Sequence, residues 1–524
     1  MQPDMKVQHM NLVSADAIML DSEILEEFLQ EFRDDSTAQE LIETIWQGLE
    51  NVRELGSLLK VEEQIDEVIE RRKDRKLDFF DKGSAKNWEQ WKRDLLAALK
   101  QYYEKAAQTF DINKQMFANE ACKGVQLLDM LEQRYDVVAT NPPYMHSRNM
   151  GRTLKSDIKS LYPKNSSDLY AVFIERCVQF TGYKGFIAMI TQQSFMFINS
   201  YVALRKYLLE NCLIRNMAHL GPHSFEDISG EKVNSTMFSI INLKNSESKS
   251  IFFRLINEEE KEKNLTRLIN SEVVNKDKLF IIYQENFKII PGWPLVYWVD
   301  NKIRDLFSVQ SKLDSIVEFA NRTKTSDNEE YTRYYWEPKE SIGQNCKWVL
   351  YTKGGEFNKW YGNNDILINW SKEARDFFRK SPKGRITDEI YWFREGITYS
   401  STSGKGFGCR LIPPLCVYDV KGPAIFSKTD DNIYFLLGLF NSKIISYILE
   451  MLNPTIEVQS GDIERVPFCP TPLDTKRRIS AFAQQCVSIK KDALQFVIND
   501  REFKQTAIKW GYNQSLVEEE EINE

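Results

Sequence analysis

The run Tyr135-Asp136-Val137-Val138-Ala139-Thr140 leads without a break into Asn141-Pro142-Pro143-Tyr144. A short β-branched, apolar run of this kind reads as a buried strand. Two consecutive prolines lack backbone N–H groups and cannot continue a central strand. The chain must therefore leave a sheet here through a loop whose φ angles are fixed by two rings. Downstream, Asp168–Phe180 has a helical pattern, Gly185–Thr191 reads as a second buried strand and Tyr201–Glu210 as a helix. Ile214–Leu220 and Thr236–Leu243 read as further strands. This alternation predicts an α/β sheet with covered faces.

The flanking regions have a different texture. Within residues 1–130, Leu20–Leu29 and Leu41–Leu49 place apolar residues at spacings of three and four, as in amphipathic helices. Glu62–Lys76 alternates in sign and reads as a solvated connecting helix, and Trp88–Phe110 as another helix. Residues 280–400 are rich in Trp, Tyr, Gly and Asn, which predicts short strands and irregular loops with most tryptophans in the core. Residues 435–452 read as one helix broken by Pro454, and 474–510 as mixed-charge helix. The 524 residues suffice for several domains. The eight cysteines include no C-x-x-C pair and the four histidines do not join them at zinc-like spacing, so no metal site is expected. The N-terminus lacks a basic start followed by an apolar core, and no stretch approaches 18 apolar residues. A cytoplasmic protein without a membrane partner is the expectation.

Asn141-Pro142-Pro143-Tyr144 suits an exocyclic amino group. The Asn141 side-chain carbonyl and a backbone carbonyl at Pro142 can both accept hydrogen bonds from an NH₂. Accepting both hydrogens moves the nitrogen toward sp³ geometry and frees its lone pair to attack an electrophilic methyl. The proline rings hold these carbonyls still, so the preorganisation is aimed at the transition state. Tyr144 offers a ring on which an extruded base can stack. The same four residues can equally be a plain tight loop, because Asn-Pro and Pro-Pro are common loop punctuation.

The segment Tyr135–Tyr144 resembles motif IV of the amino-group (N6-adenine) DNA methyltransferases. Asp168–Arg176 resembles their motif V helix and Gly185–Thr191 the strand after it. Met217–Gly221 with Phe225 resembles the stretch leading to motif VIII. Glu50–Glu62 and Ile397–Phe426 are similar to the PglX type of these enzymes, found in bacteriophage exclusion (BREX) defence. The resemblance implies transfer of a methyl group from S-adenosylmethionine to adenine in double-stranded DNA. In that role Asn141, Pro142, Pro143 and Tyr144 are catalytic, and Phe225 stacks the base from the other side.

The family also carries a glycine-rich motif I upstream of motif IV, where the cofactor binds. Residues 1–140 hold only the isolated Gly48, Gly56, Gly83 and Gly124. Gly404-Lys405-Gly406-Phe407-Gly408 is a G-x-G-x-G string, but Cys409–Pro414 cannot open the helix that a cofactor turn requires. A flexible recognition loop is the better reading there. Ser14–Ala17 is a motif III candidate with Asp16 toward the cofactor, or else a helix cap. The expectation is a C-terminal portion of a methyltransferase, inactive alone, whose N-terminal half or other defence subunits are partners.

The formal net charge of −7 hides local differences. Between Tyr144 and Leu220, ten Lys/Arg stand against four Asp/Glu, a net of +6. Residues 353–428 carry thirteen against eight, a net of +5. Such stretches can neutralise phosphates or be ordinary solvated surface. Arg394, Lys405 and Arg410 are the candidate DNA contacts. The expected fold is α/β. Residues 1–130 form a mainly helical segment flanking or inserted in the methyltransferase domain, and 131–250 the C-terminal part of a partial Rossmann-like sheet. Residues 251–470 form an α+β target-recognition domain, and 471–524 a helical tail. Two alternatives stay open: a non-catalytic DNA-binding or specificity subunit, and methylation of another amide, such as a glutamine in protein.

Overall fold

The computed structural model describes residues 22–49, 51–74, 88–225, 233–244, 248–270, 277–308, 311–320, 323–429, 431–455, 457–506 and 508–509. Asp16 and the rest of 1–21 lie outside them. The protein is mixed α/β and divides into two compact units. Unit 1 comprises 1–195 and 199–286, and unit 2 comprises 196–198 and 287–524.

Unit 1 opens with helices α1 (Ser22–Leu29), α2 (Ser36–Leu49), α3 (Val52–Leu55), α4 (Val61–Asp74), α5 (Trp88–Gln108) and α6 (Ile112–Glu132). Then follow β1 (Tyr135–Thr140), α7 (Arg152–Leu161), α8 (Leu169–Phe180), β2 (Thr181–Gln192), α9 (Val202–Asn211) and β3 (Leu213–Gly221). The unit closes with β4 (Ser235–Ile241), β5 (Lys249–Arg254), α10 (Lys261–Ile269) and β6 (Leu279–Tyr283). The N-terminal helices share one core, in which Phe28, Ile45, Leu99, Val125 and Leu128 are buried against Trp46 and Phe117. α4 is not the solvated connector its charges suggest. Val61, Ile65, Val68 and Ile69 recur on one face and are buried in that core, with Glu62 buried beside them and Glu63, Asp66, Glu67, Glu70 and Arg71 exposed.

The six strands form one sheet in the order β1-β2-β4-β3-β5-β6. β1/β2 and β3/β5 pair in parallel and the other neighbours antiparallel. One face is buried through Ile187 and Met189 of β2, Phe238 and Ile240 of β4, Met217 of β3 and Phe252 of β5. The other face corrects the expectation of two covered faces. There Phe186 is 45% exposed, Met237 42% and Ile281 59%. α10 shields only part of this face, beside an apolar cavity of about 520 Å³ lined by Ala218, Met237, Leu265 and Ile281.

β1 departs from its sequence reading in the same way. It is an edge strand among the described residues, and Val137 is 63% exposed. A run apolar on both sides reads as buried, but burial depends on neighbours that the run does not encode.

Unit 2 contains α11 (Asn301–Asp305), β7 (Val317–Phe319), α12 (Asn328–Tyr331), β8 (Thr332–Tyr334), β9 (Trp348–Thr352), β10 (Ile366–Asn369) and α13 (Lys372–Lys380). After these come β11 (Ile397–Tyr399), β12 (Cys409–Leu411), β13 (Cys416–Tyr418) and β14 (Ala424–Ser427). Helices α14 (Ile433–Phe440), α15 (Lys443–Leu452), α16 (Ser460–Glu464) and α17 (Leu473–Leu494) complete it. Its strands form two four-stranded sheets, β13-β9-β10-β8 and β12-β11-β14-β7. Trp348 and Leu350 face one core and Val349 and Tyr351 another, so β9 is buried on both sides. Trp348 and Trp370 are core residues, whereas Trp336 is exposed.

The helix read over 435–452 is two helices. Asn441 leaves the helix to exchange two 2.9 Å hydrogen bonds with the backbone of Cys409, and the Ser442 hydroxyl caps α15. α14 and α15 are bent by 60°, and no single helix among the described residues is long and apolar enough to cross a membrane.

Candidate active site

Asn141-Pro142-Pro143-Tyr144 leaves the carboxyl end of β1 as irregular backbone. Asn141 and Pro143 are exposed, Pro142 is buried and Tyr144 is half-buried. Neither proline has an N–H to tie the loop down, so other groups hold it. The Tyr144 hydroxyl donates to the Ile190 carbonyl of β2 at 3.2 Å. The Asn141 side-chain oxygen lies 3.5 Å from that hydroxyl. With the proton of Tyr144 directed to Ile190, the amide oxygen of Asn141 keeps lone pairs open to an incoming donor. The Tyr144 ring meets the edge of Tyr170 (centroids 6.1 Å apart, 81°), and Tyr170 packs on Tyr201 at 5.6 Å. Burial raises the Tyr144 phenol above its ordinary value.

Asp168, at the cap of α8, fixes the far side of the loop. Its Oδ1 accepts from Met145 N at 3.1 Å and from Tyr170 N at 3.4 Å. Leu169 N returns a bond to Met145 O at 3.1 Å, and Ser147 N bonds Ser167 O at 2.9 Å. Asp168 is 4% exposed. Burial raises its carboxyl, and the amide hydrogen bonds pull it back down. One carboxylate thus holds both the first N–H after the motif and the start of α8. An Asp directly before an apolar helical run is a helix-cap signal, but the bond to Met145 depends on tertiary structure.

The ends of β1, β2 and β3 fall on one side of the sheet, since Thr140 pairs with Met189 while Gln192 and Gly221 both pair with Ser235. Phe225 follows β3 on this side and is half-buried. Gly221 makes the turn toward it with φ +69°, where a Cβ would meet Ile256 at 2.9 Å. Nearby, His219 is 1% exposed and its Nε2 lies 2.6 Å from the Gln193 side chain. Burial, with Arg254 and Lys261 adding to it, lowers this imidazole to about 3, so it is neutral at neutral pH.

The remaining candidates are in unit 2. Lys405 is exposed in the loop between β11 and β12. That loop joins two antiparallel strands, so the G-x-G-x-G string is a hairpin connection. Arg394 is ion-paired to Glu318 at 2.6 Å and lies over the Phe426 ring at 4.8 Å. Arg410 is 1% exposed, with its guanidinium bonded to Ser400 Oγ at 3.1 Å and Gly354 O at 2.9 Å. It faces the interior of unit 2 and presents no surface charge.

Among the described residues there is no glycine-rich strand-to-helix turn and no cluster suited to a metal. The loop after β1 therefore offers acceptors for an amino group, while the described residues do not by themselves make a cradle for a nucleoside cofactor.

Residues 23–225, which include this loop, match the family model of the Eco57I restriction-modification methylases. That stretch is therefore similar to the methylases of restriction-modification systems. More particularly, the chain is similar to the adenine-specific methyltransferases BrxX and PglX. It is 35% identical over 385 residues to BrxX of Escherichia coli O9:H4 (strain HS), covering 71% of this chain and 31% of that protein. It is 34% identical over 355 residues to PglX of Lacticaseibacillus casei (strain Zhang), covering 64% of this chain and 30% of that protein. The chain thus spans about a third of the curated relatives it matches. The solved Type IIL restriction-modification enzyme MmeI, in complex with DNA, aligns over 90% of this chain and 71% of its own, with a TM-score of 0.48 and 11% identity.

Proposed function

We propose that the chain serves N6-adenine methylation of double-stranded DNA in phage defence, with S-adenosylmethionine as methyl donor. The observation that carries this is the loop after β1: an exposed Asn141 beside a proline-fixed carbonyl, over a half-buried Tyr144. Asn141 Oδ1 and the Pro142 carbonyl accept the two hydrogens of the target amino group, and Tyr144 and Phe225 stack the extruded base. The cofactor supplies an electrophilic methyl. The residues of this chain orient the amine and exclude water, while Tyr144 and Asp168 keep the acceptors from drifting. The partial Rossmann-like character of the sheet follows from the same reading, as does a target-recognition role for unit 2 with Lys405 toward DNA.

The edge position of β1 among the described residues and the exposed sheet face support a further part of the proposal, that another polypeptide segment completes the cofactor site. In a complex reconstituted with that segment, Asn141→Ala abolishes methylation of adenine-containing duplex and spares duplex binding. Unchanged methylation refutes the assignment. A second reading, a non-catalytic specificity subunit, is favoured by the missing glycine-rich turn among the described residues. Duplex binding without any cofactor binding in the reconstituted complex would select it.

A further inference from the structure

In unit 2, α13 ends at Lys380 and the chain turns through Ser381-Pro382-Lys383-Gly384, closed by Gly384 N to Ser381 O at 3.0 Å. The turn is tight enough that a Cβ on Gly384 would come within 2.6 Å of the Phe378 carbonyl oxygen. The chain then runs antiparallel to residues 323–326. Lys324 N bonds Arg385 O at 2.8 Å and Arg385 N bonds Lys324 O at 3.0 Å. Ser326 Oγ meets Ser381 Oγ at 2.9 Å, and the buried Thr323 and Thr387 hydroxyls meet at 2.8 Å behind them.

A residue pair exchanging both backbone hydrogen bonds projects its side chains to the same side. Lys324 and Arg385 are therefore like charges directly opposed, an arrangement that destabilises a strand pair. Residues 372–385 hold six Lys/Arg against two Asp/Glu, a net of +4. The nearby carboxylates Asp376 and Glu389 are both engaged by Arg379, at 3.3 and 2.9 Å. Lys324, Lys380, Lys383 and Arg385 are exposed and make no ion pair among the described residues. The helix dipole accounts for cations in the last turn of α13, such as Arg379 and Lys380. It does not account for Lys383, Arg385 and Lys324, which lie beyond the helix.

We infer that this turn and the segment opposite it form a phosphate-contacting ledge for duplex DNA, with Lys324, Lys380, Lys383 and Arg385 as its cations. The inference rests on the reading of the chain as a protein that acts on DNA, and it names residues that the sequence did not. A DNA backbone removes the repulsion that the unliganded protein carries between Lys324 and Arg385. The contact is to phosphate and carries no base information, because four flexible cations on a fixed backbone turn read charge spacing and nothing else.

The test is fluorescence anisotropy of the full chain with a labelled duplex between roughly 50 and 200 mM salt, the range over which phosphate contacts are most telling. Each phosphate contact contributes about 0.9 to the slope of log affinity against log salt. The variant carrying Lys324→Gln, Lys380→Gln, Lys383→Gln and Arg385→Gln therefore loses up to roughly 3.6 in slope. Over that salt range its affinity falls by on the order of 100-fold less than that of the parent chain. Lys383→Gln alone, at the turn tip, lowers the slope by about 0.9 and guards against a folding defect in the fourfold variant. Lys324→Gln alone leaves the melting temperature unchanged or raised. An unchanged slope in variants with intact melting curves overturns the ledge and leaves the DNA reading standing. A parent chain that binds no duplex at 50 mM salt, or that binds only phosphatidylserine vesicles, overturns both.

Discussion

Glu62 and Arg176 are 114 residues apart in sequence, and a carboxylate oxygen of one lies 2.5 Å from a guanidinium nitrogen of the other. Both side chains are buried, 8% and 1% exposed. Arg176 also donates to the Ser57 and Leu59 carbonyls and lies 4.2 Å over the Phe180 ring. This joins α8, whose cap Asp168 holds the candidate catalytic loop, to α4 and the turn before it. The N-terminal helices are thereby part of the scaffold that positions the loop. Removing one partner strands the other charge without solvent. Arg176→Met therefore destabilises unit 1 by about 3–5 kcal/mol, read as a lower urea midpoint. If the midpoint is unchanged, the pair has no such role.

The hydroxyl of Tyr144 and its ring have separable duties. Tyr144→Phe keeps the stacking surface and loses the bond to Ile190, which is worth about 0.5–1.5 kcal/mol. In a reconstituted methylating complex the rate falls no more than about tenfold. Tyr144→Ala removes the platform too and falls much further. Equal losses in the two variants would contradict the division.

Asp168→Ala removes the cap of α8 and the acceptor for Met145 N. It costs about 0.5–2 kcal/mol. Hydrogen exchange at the Met145 and Tyr170 amides speeds up relative to the strand amides of β2. Asp168→Asn keeps an acceptor of the same shape and recovers most of the protection.

His219 gives unit 1 a pH dependence with a definite sign. Its folded value of about 3 lies below the unfolded value of 6.5, so the unfolded chain binds more protons between them. The contribution is complete above pH 6.5 and is lost as the pH falls toward 3. Urea unfolding at pH 7 and pH 5 finds the protein weaker at pH 5, by about 1.4 kcal/mol per pH unit from this group. In His219→Gln the difference shrinks. An undiminished difference would assign the effect to other groups.

The exposed sheet face tolerates polar change in the isolated chain. Phe186→Asp shifts its stability by no more than about 0.5 kcal/mol, as ordinary surface substitutions do. Assembly with a completing segment is where the defect appears, as a loss of the reconstituted complex on gel filtration. A large destabilisation of the isolated chain would mean the face is already covered.

The strand over Tyr135–Thr140, its halt at Pro142-Pro143, the α8 helix and the acceptor chemistry of Asn141 were all legible in the sequence. Each depends on local properties: β-branching, the missing proline N–H, an apolar period and the lone pairs of an amide. The split between α14 and α15 was not legible, because Asn441 leaves the helix for a strand 32 residues upstream. The solvated character assigned to α4 failed for a related reason. Its charge pattern is visible in order, but its buried face is made by packing against elements such as α2 and α6.

By itself, then, the sequence determined which residues could form a strand, a stop and a loop that carries hydrogen-bond acceptors. Tertiary structure decided which of them are buried and which charges are free. It made β1 an edge, turned Arg410 inward, paired Arg176 with Glu62 and set Lys324 opposite Arg385. Local chemistry acts over a few residues, whereas burial and charge pairing are sums over neighbours brought from far along the chain.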